Sequence, residues 1–459
     1  MNALTIPTDL LARYDVSAPR YTSYPPIPYW PEMKAEDLRG WLEAAPDAAA
    51  PTLSLYVHIP FCRSRCFYCG CFVIITSKQD QAEHYAETVC REMELTRAAY
   101  PHEAPVRQFH LGGGTPTFVS MGSLTAITEQ ARKLFPFDAN AEMSIEVDPR
   151  TVNAAQLGEL RSLGFNRLSL GVQDFDEAVQ RTVNRIQPYA LVESLVTAGR
   201  AQGYGSINLD LIYGLPLQTE SSFGATLDQI LQLRPDRLAL YNYAHLPEAM
   251  PYQRRFDPET LPDRDRKLAI FLLARERLMA GGYVPIGLDH FALPEDELAR
   301  AQATGTLQRN FMGYTTQAGS DSLAFGISAI SDCHGAFWQN EKKLNVYEER
   351  VRKGEPPVTR GMRLDADDRI RKAAIAGLFC GGRVDFPALR DRFAFDPREY
   401  FAREWDALAP LEADGLIERS GEGVIVTERG QFFLRNIAVV FDAYHRRKTD
   451  APRKFSRTL

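Results

Sequence analysis

Between residues 53 and 245, short runs of β-branched and aliphatic residues alternate with longer stretches whose apolar positions recur at helical spacing. The runs 53–58, 108–111, 143–147, 167–172, 207–213 and 237–243 predict strands. Their near-continuous apolar character predicts a parallel sheet buried on both faces. The intervening stretches 85–95, 124–134 and 155–163 are amphipathic and long enough for crossover helices. This is the pattern of an α/β chain, and six βα units predict an incomplete (β/α)6 barrel. In such barrels the active residues gather at the C-terminal ends of the strands. The distinctive residues of this chain fall there: cysteines after the first run, Gly112, Gly113 and Gly114 after the second, Glu146 and Asp148 at the third, Gln173 after the fourth, Asp210 in the fifth, Ala244 and His245 after the sixth.

The pattern changes on either side. The first 50 residues contain Pro19-Arg20-Tyr21-Thr22-Ser23-Tyr24-Pro25-Pro26, whose prolines and polar groups argue against a regular helix or a core element. Helices are expected over 369–378 and 400–411, followed by a hairpin of 415–418 with 423–427, an arrangement like a winged helix. The expected division is an N-terminal extension or lid at 1–50, a barrel at 51–300, a connecting segment packing on the barrel at 301–360 and a C-terminal domain at 361–459. A tether on the outside of the barrel is the alternative to the lid.

The net charge of −6 over 459 residues gives no field to attract phosphate backbones, so nucleic-acid binding is not expected. The basic C-terminal residues Arg446, Arg447, Lys448, Arg453, Lys454 and Arg457 read as a solvated tail. No run approaches the roughly 20 apolar residues that span a bilayer, and Asp9 and Arg13 precede no signal-like apolar stretch. With free thiols, these features point to a cytoplasmic protein without membrane partners.

Of seven cysteines, Cys62, Cys66, Cys69 and Cys71 fall within ten residues. Iron–sulfur cubes normally take four thiolates, so a tight loop of three suggests a cube with one iron left open for another ligand. A structural zinc site with Cys71 as fourth sulfur is the alternative, although zinc knuckles usually pair two separated C-x2-C segments. An odd cysteine count argues against a disulfide framework. Cys90, Cys333 and Cys380 read as small core hydrophobes.

The spacing Cys62-x3-Cys66-x2-Cys69 after a first strand resembles the radical S-adenosylmethionine (SAM) signature. The rest of the chain is similar to the oxygen-independent coproporphyrinogen III oxidase (coproporphyrinogen dehydrogenase) family. The similarity is carried by Pro19-Arg20-Tyr21-Thr22-Ser23-Tyr24-Pro25, His58-Ile59-Pro60-Phe61-Cys62, Cys69-Gly70-Cys71, His110-Leu111-Gly112-Gly113-Gly114-Thr115-Pro116-Thr117, Asp210-Leu211-Ile212-Tyr213-Gly214-Leu215-Pro216, Gly313-Tyr314-Thr315-Thr316 and Arg435-Asn436-Ile437. One departure is Phe379-Cys380-Gly381-Gly382-Arg383, where bulkier residues are expected after the cysteine.

The resemblance implies a radical SAM barrel in which Cys62, Cys66 and Cys69 hold a [4Fe–4S] cluster. It implies two SAM molecules: Tyr56, Gly113, Glu146, Ala244 and Ile330 around the cluster-bound one, and Tyr68, Gly114, Thr115, Gln173, Arg185 and Asp210 around the second, with Arg185 and Asp210 apart from the cysteine loop. Cys71, Tyr56 and Glu146 are the candidate catalytic residues, Cys71 in a non-ligand role. The implied reaction is a 5′-deoxyadenosyl-radical decarboxylation of coproporphyrinogen III to protoporphyrinogen IX in haem biosynthesis, by a monomer served by an electron donor such as a flavodoxin or ferredoxin. Haem chaperones and haem-degrading relatives share the loop and are the alternative. Read by their chemistry alone, several of these residues have other roles open: a tight turn for the glycines, helix N-caps for Glu146 and Asp210, a surface helix position for Arg185, a core ring for Tyr56.

Overall fold

The computed structural model describes residues 6–46, 50–317, 319–447 and 455–458. The chain divides into two compact units, one of Pro31–Pro262 and Gly319–Arg363, the other of Met1–Trp30, Asp263–Ala318 and Leu364–Leu459. The segment expected to connect barrel and C-terminal domain, 301–360, is thus shared between them.

In the first unit six parallel strands lie in chain order: β1 (Leu53–Ile59), β2 (Val106–Gly113), β3 (Phe137–Val147), β4 (Arg167–Gln173), β5 (Ser206–Tyr213) and β6 (Arg237–Asn242). The helices between them are α1 (Gln79–Ala99), α2 (Met121–Leu134), α3 (Ala154–Ser162), α4 (Glu177–Thr182), α5 (Tyr189–Ala201) and α6 (Glu220–Leu233). Their buried positions follow helical spacing, as Ala82, Tyr85, Ala86, Val89 and Met93 do on α1. Caps set their starts: Asn153 and Gln156 form a capping box on α3, and Thr219 caps α6. A strand missing from the expected set, β7 (Asp321–Phe325), pairs in parallel with the other side of β1, Leu53 beside Asp321 and Val57 beside Phe325. Antiparallel strands β8 (Ile330–Cys333), β9 (Ala336–Asn340) and β10 (Val358–Arg363) continue the sheet from there. They carry the chain from the expected connecting segment into the sheet.

The expected burial on both faces of the sheet is met on β1, but one of those faces is polar. The sheet is not apolar on both faces. Leu53, Leu55, Val57 and Ile59 of β1 are fully buried on one face, while Ser54, Tyr56 and His58 alternate onto the other. Register then lines up a polar row across the strands. Ser54 Oγ donates to Gln108 Oε1 at 3.2 Å, Gln108 Nε2 donates to Glu142 Oε1 at 2.9 Å, and Arg167 Nε meets Glu142 Oε2 at 3.1 Å. Runs this short hide a period of two when the alternate residues are Tyr, His and Ser rather than charged.

In the second unit the segment 19–25 is a core element, contrary to expectation. Tyr21 and Tyr24 are buried, and Tyr21 OH donates to the buried Asp442 carboxylate at 2.9 Å. Arg435 grips backbone carbonyls of Pro19 at 3.1 Å and Ser456 at 2.9 Å, as well as that of Ala18. Asn436 Nδ2 donates to Tyr14 O at 2.7 Å. The expected helix 369–378 lies within Ala366–Gly381, but 400–411 is broken into Ala402–Ala407 and Ala409–Ala413, the second with Pro410 in its first turn where no N–H is needed. The hairpin forms as Ile417–Ser420 with Gly423–Val426, and Arg383–Asp385 adds a third strand. Gly382 ends Ala366–Gly381 in the left-handed conformation, φ 63°, which accounts for one glycine of the departing pair. Cys380 packs among Ile286, Ala292, Leu298, Leu307 and Tyr314 as a small apolar residue.

Among the described residues no helix is long and apolar enough to cross a membrane.

Candidate active site

The cysteine loop leaves β1 through Pro60 and is pinned at both ends. Phe61 and Cys62 pair in parallel with Ile74 and Ile75, and Phe67 N donates to Val183 O at 2.9 Å. Tyr252 OH donates to Cys69 O at 2.5 Å, and the Arg65 guanidinium lies 4.5 Å from the Tyr252 ring centroid. Phe67 and Tyr68 pack on an apolar cluster of Val179, Val183, Ile212, Leu215, Tyr243 and Phe256. The loop is therefore held by backbone and aromatic contacts while its thiols remain free.

Each thiol has a different neighbour. Cys62 Sγ lies 3.2 Å from Thr115 Oγ1, and burial pushes its thiol up to about 11. Cys66 Sγ accepts from Arg185 Nη1 at 3.6 Å and from Arg150 Nη2 at 3.8 Å. Cys69 is held down to about 7, first by a hydrogen bond from Cys71, which in turn keeps the Cys71 proton on. Among the described residues, the one group of three His, Cys or carboxylate ligand atoms drawn within 4.8 Å of one another is Asp321, Cys333 and His334, so no three of the loop thiols are that close together. A tetrahedral zinc with Zn–S of about 2.3 Å needs sulfurs about 4 Å apart. Thiols of which no three come that close suit a multi-iron cluster, whose thiolates sit on separate irons, better than a single zinc.

Beside the loop sits a buried charge group. Asp148 accepts from Arg150 Nη2 at 2.6 Å and from Arg185 Nη1 at 3.1 Å. Burial alone would raise this carboxyl, but the two guanidiniums hold it at about 2. Arg185 Nη2 also donates to Gly171 O at 2.6 Å, and its Nε is buried without a hydrogen-bond partner. A Cβ on Gly171 would lie 2.9 Å from both Arg185 Nη2 and Gln173 Nε2, so glycine makes the room. Gln173 itself adopts φ 69° where β4 and β5 shift register, a conformation costing of order 1 kcal/mol that the surroundings must enforce. Arg185 is thus neither a surface helix residue nor apart from the cysteine loop. Arg150, absent from the sequence expectations, belongs to the same group. Its only signal was the spacing Asp148-Pro149-Arg150 at a strand end.

Along the rim, Tyr56 stacks on His110 with centroids 5.8 Å apart. His58 Nε2 donates to Phe72 O at 3.1 Å, so its Nδ1 accepts the Tyr56 hydroxyl at 3.0 Å. Glu146 receives Gly113 N–H at 3.0 Å and lies 3.4 Å from His110 Nε2. Burial pushes this carboxyl up, but His110 and the Gly113 amide outweigh it and hold it below its ordinary value. With 42% of its side chain accessible, Glu146 remains open to a ligand. It caps no helix. The glycines end a strand rather than making a simple turn, and what demands them is the chain itself. A Cβ would come within 2.9 Å of Glu146 at Gly112, 2.7 Å of the His58 ring at Gly113 and 2.7 Å of Pro60 O at Gly114. Asp210 accepts from Asn208 Nδ2 at 2.8 Å and from Ser169 Oγ at 3.4 Å, forming a polar group on the sheet face rather than an N-cap. Ala244 follows β6, its carbonyl accepting from the buried Gln253 at 3.2 Å, and Ile330 opens β8 opposite Gln339.

Residues 56–230 match the Radical SAM superfamily and residues 364–433 the HemN C-terminal domain. The chain is 44% identical to the oxygen-independent coproporphyrinogen III oxidase of Pseudomonas aeruginosa over 95% of each chain, and 42% identical to that of Escherichia coli K12 over 98% of each. The chain belongs to the oxygen-independent coproporphyrinogen III oxidase family. The solved coproporphyrinogen III oxidase (HemN) of Escherichia coli, described as a radical SAM enzyme, superposes with a TM-score of 0.91 at 40% identity, covering 96% of this chain and 100% of that one. As a member of this oxidase family the chain is a radical SAM enzyme with an α/β fold and a helical C-terminal domain, and its cofactors are a [4Fe–4S] cluster and SAM.

Proposed function

We propose that this chain converts two propionate side chains of coproporphyrinogen III to vinyl groups without oxygen, giving protoporphyrinogen IX. The observation that carries the reading is full-length similarity to the Escherichia coli oxidase, spanning 96% of this chain, joined to a three-cysteine loop facing two guanidiniums. Each propionate loses a hydrogen atom from its β-carbon, then CO2 and one electron, which passes to a one-electron acceptor.

Cys62, Cys66 and Cys69 would hold three irons of the cluster, and when bound the cluster and SAM supply the radical that takes the hydrogen atom. The remaining steps fall to the side chains. Glu146, kept ionised and half open, is placed to accept from an ammonium group. The Ser169, Asn208 and Asp210 group is placed to accept and donate to ribose hydroxyls. Tyr56 and His110 form a flat wall beside Glu146. The Thr115 hydroxyl and Arg185 and Arg150 neutralise sulfur charge at the loop. Cys71 donates to Cys69, holds that thiol below its ordinary value and is not needed as a ligand. A second SAM near Gln173, Arg185 and Asp210, a small electron-transfer protein as donor, a monomeric state and a cytoplasmic location complete the proposal.

The test is an anaerobic assay of the reconstituted protein with coproporphyrinogen III and SAM, reading protoporphyrinogen IX and CO2. Product formation at the expense of SAM is expected. A chain that cleaves SAM but never releases CO2 would refute the assignment.

A further inference from the structure

Far from the cysteine loop in sequence, three potential ligands converge at the turn between β8 and β9. Cys333 ends β8, His334 follows it in the turn, and Asp321 opens β7. One ligand atom from each lies within 4.8 Å of the other two, and Cys333 and His334 are buried. His334 N donates to Asp321 Oδ1 at 2.9 Å, and His334 Nε2 stands 3.2 Å from Asp321 Oδ2.

The orientation of the imidazole matters. His334 Nδ1 is 3.3 Å from Trp41 O. A carbonyl can only accept, so Nδ1 carries the hydrogen and the Nε2 lone pair of the neutral ring points at the carboxylate. Nε2 and the carboxylate at this distance are joined either by a proton on Nε2, which makes an ion pair, or by a metal cation. A ring nitrogen oriented by a backbone carbonyl on its far side is also how metal-ligating histidines are usually set.

A further observation points the same way. The Tyr100 ring stacks on His334 at 5.7 Å, and its hydroxyl is buried with no hydrogen-bond partner. Tyr100 is only 1% exposed. Burial first, then the negative charge of Cys333 and of Asp321, raises that hydroxyl above its ordinary value. A buried polar atom without a partner is destabilising, and a metal ligand role would relieve it.

We propose that Asp321, Cys333 and His334, with the Tyr100 hydroxyl at the fourth position, bind one zinc-class divalent cation. Cysteine, imidazole and carboxylate in a closed tetrahedral set suit zinc over the hard cations. Binding requires the Cys333 thiol to give up its proton. The ion would tie β7 to the β8–β9 hairpin and to the chain at Trp41 and Tyr100. This site is independent of the decarboxylase reading.

The test uses the full-length protein with its iron–sulfur cluster reconstituted, so that the loop cysteines are occupied. The protein is loaded with zinc chloride, dialysed against a weak chelator, and analysed for zinc and by zinc-edge X-ray absorption. One zinc per chain is expected, with a single sulfur at about 2.3 Å and nitrogen or oxygen neighbours at about 2.0–2.2 Å. Cys333→Ala and His334→Asn, the latter retaining a residue that tolerates the left-handed backbone, should each weaken uptake by more than the roughly 10–100-fold that loss of an outer partner costs a metal site. No retained zinc in the unmutated protein would overturn the site and leave an Asp321–His334 ion pair. An all-sulfur shell, or uptake unchanged in both variants, would overturn it as well.

Discussion

Two buried arginines hold two chain segments in opposite ways. Arg185, in the barrel unit, divides its guanidinium among a carboxylate, a carbonyl and a sulfur: Asp148 at 3.1 Å, Gly171 O at 2.6 Å and Cys66 Sγ at 3.6 Å. Arg435, in the other unit, spends its donors on backbone carbonyls of residues 18, 19, 456 and 457 and on the Ser456 hydroxyl. Both are under 10% exposed, 7% and 6%. A cation surrounded by carbonyls staples chain segments together. One that shares a carboxylate and reaches a thiol sets the charge of a reactive site. Burial alone does not distinguish the roles, but the identity of the partners does.

The largest effect should follow from removing the sulfur that Arg185 and Arg150 share. Cys66→Ala is expected to leave the protein folded but without its cluster, so that iron content, visible absorbance and product formation all fall to background. A variant that retains a full complement of iron and sulfide would remove Cys66 from the ligand set.

Next comes the paired exchange of the two arginines for lysine. A single ammonium cannot bridge Asp148, Gly171 and Cys66 at once, and a misplacement of about 1 Å at a reacting site can cost about 100-fold in rate. Arg185→Lys should therefore lower turnover by about that factor while leaving thermal unfolding of the other unit unchanged. Arg435→Lys should do the reverse, destabilising its own unit by roughly 1–3 kcal/mol for each carbonyl left bare while iron content stays whole. If Arg435→Lys abolished turnover with no loss of stability, the division of roles would be wrong.

How much of this was legible in the sequence follows from where the partners lie. The cysteine loop was legible because its three sulfurs fall within eight residues, and Glu146 and Asp210 because they lie in strands that the apolar runs predict, Glu146 at the end of its own. Arg185 could be named from the family pattern, but not its contact with Cys66. That contact depends on how the turn after α4 folds back over the loop, through Asn184 Nδ2 on Arg65 O at 2.9 Å and Phe67 N on Val183 O at 2.9 Å. Arg150 had no signal beyond its spacing from Asp148, since a guanidinium next to a proline reads as surface. Segment 19–25 was misjudged for a related reason. Its polar groups suggest exposure until Asp442 and Arg435, more than 400 residues away, supply the partners that let tyrosines be buried.

A smaller effect should come from Asp148, whose carboxyl is held at about 2 against an ordinary 3.8. Its folded-state value is depressed, so the stability it contributes is fully present above about pH 4 and is lost as pH falls toward 2. The shift corresponds to about 2 kcal/mol. Asp148→Asn should lower stability by about that amount at pH 7, and the two proteins should converge as the pH approaches 2. Thermal unfolding of the cluster-free chain across this range measures it. A difference independent of pH would show that Asp148 acts by packing rather than by charge.

The smallest effect tests the stapled segment itself. Tyr21 OH donates at 2.9 Å to Asp442, whose carboxylate also receives the amides of Tyr444 at 2.8 Å and His445 at 2.9 Å. Burial raises this carboxyl above its ordinary value, so it depends on all three donors to remain ionised. Removing one hydroxyl leaves the ring packed against Phe379, with centroids 5.9 Å apart, and leaves the carboxylate two of its donors. Tyr21→Phe should therefore cost about 1 kcal/mol, the net value of one buried hydrogen bond, and leave cluster content and turnover at permissive temperature unchanged. Loss of turnover in a protein of undiminished stability would give Tyr21 a part in the reaction and return the segment to the role of a substrate lid. A stability loss alone would place it with Arg435, as part of the fold.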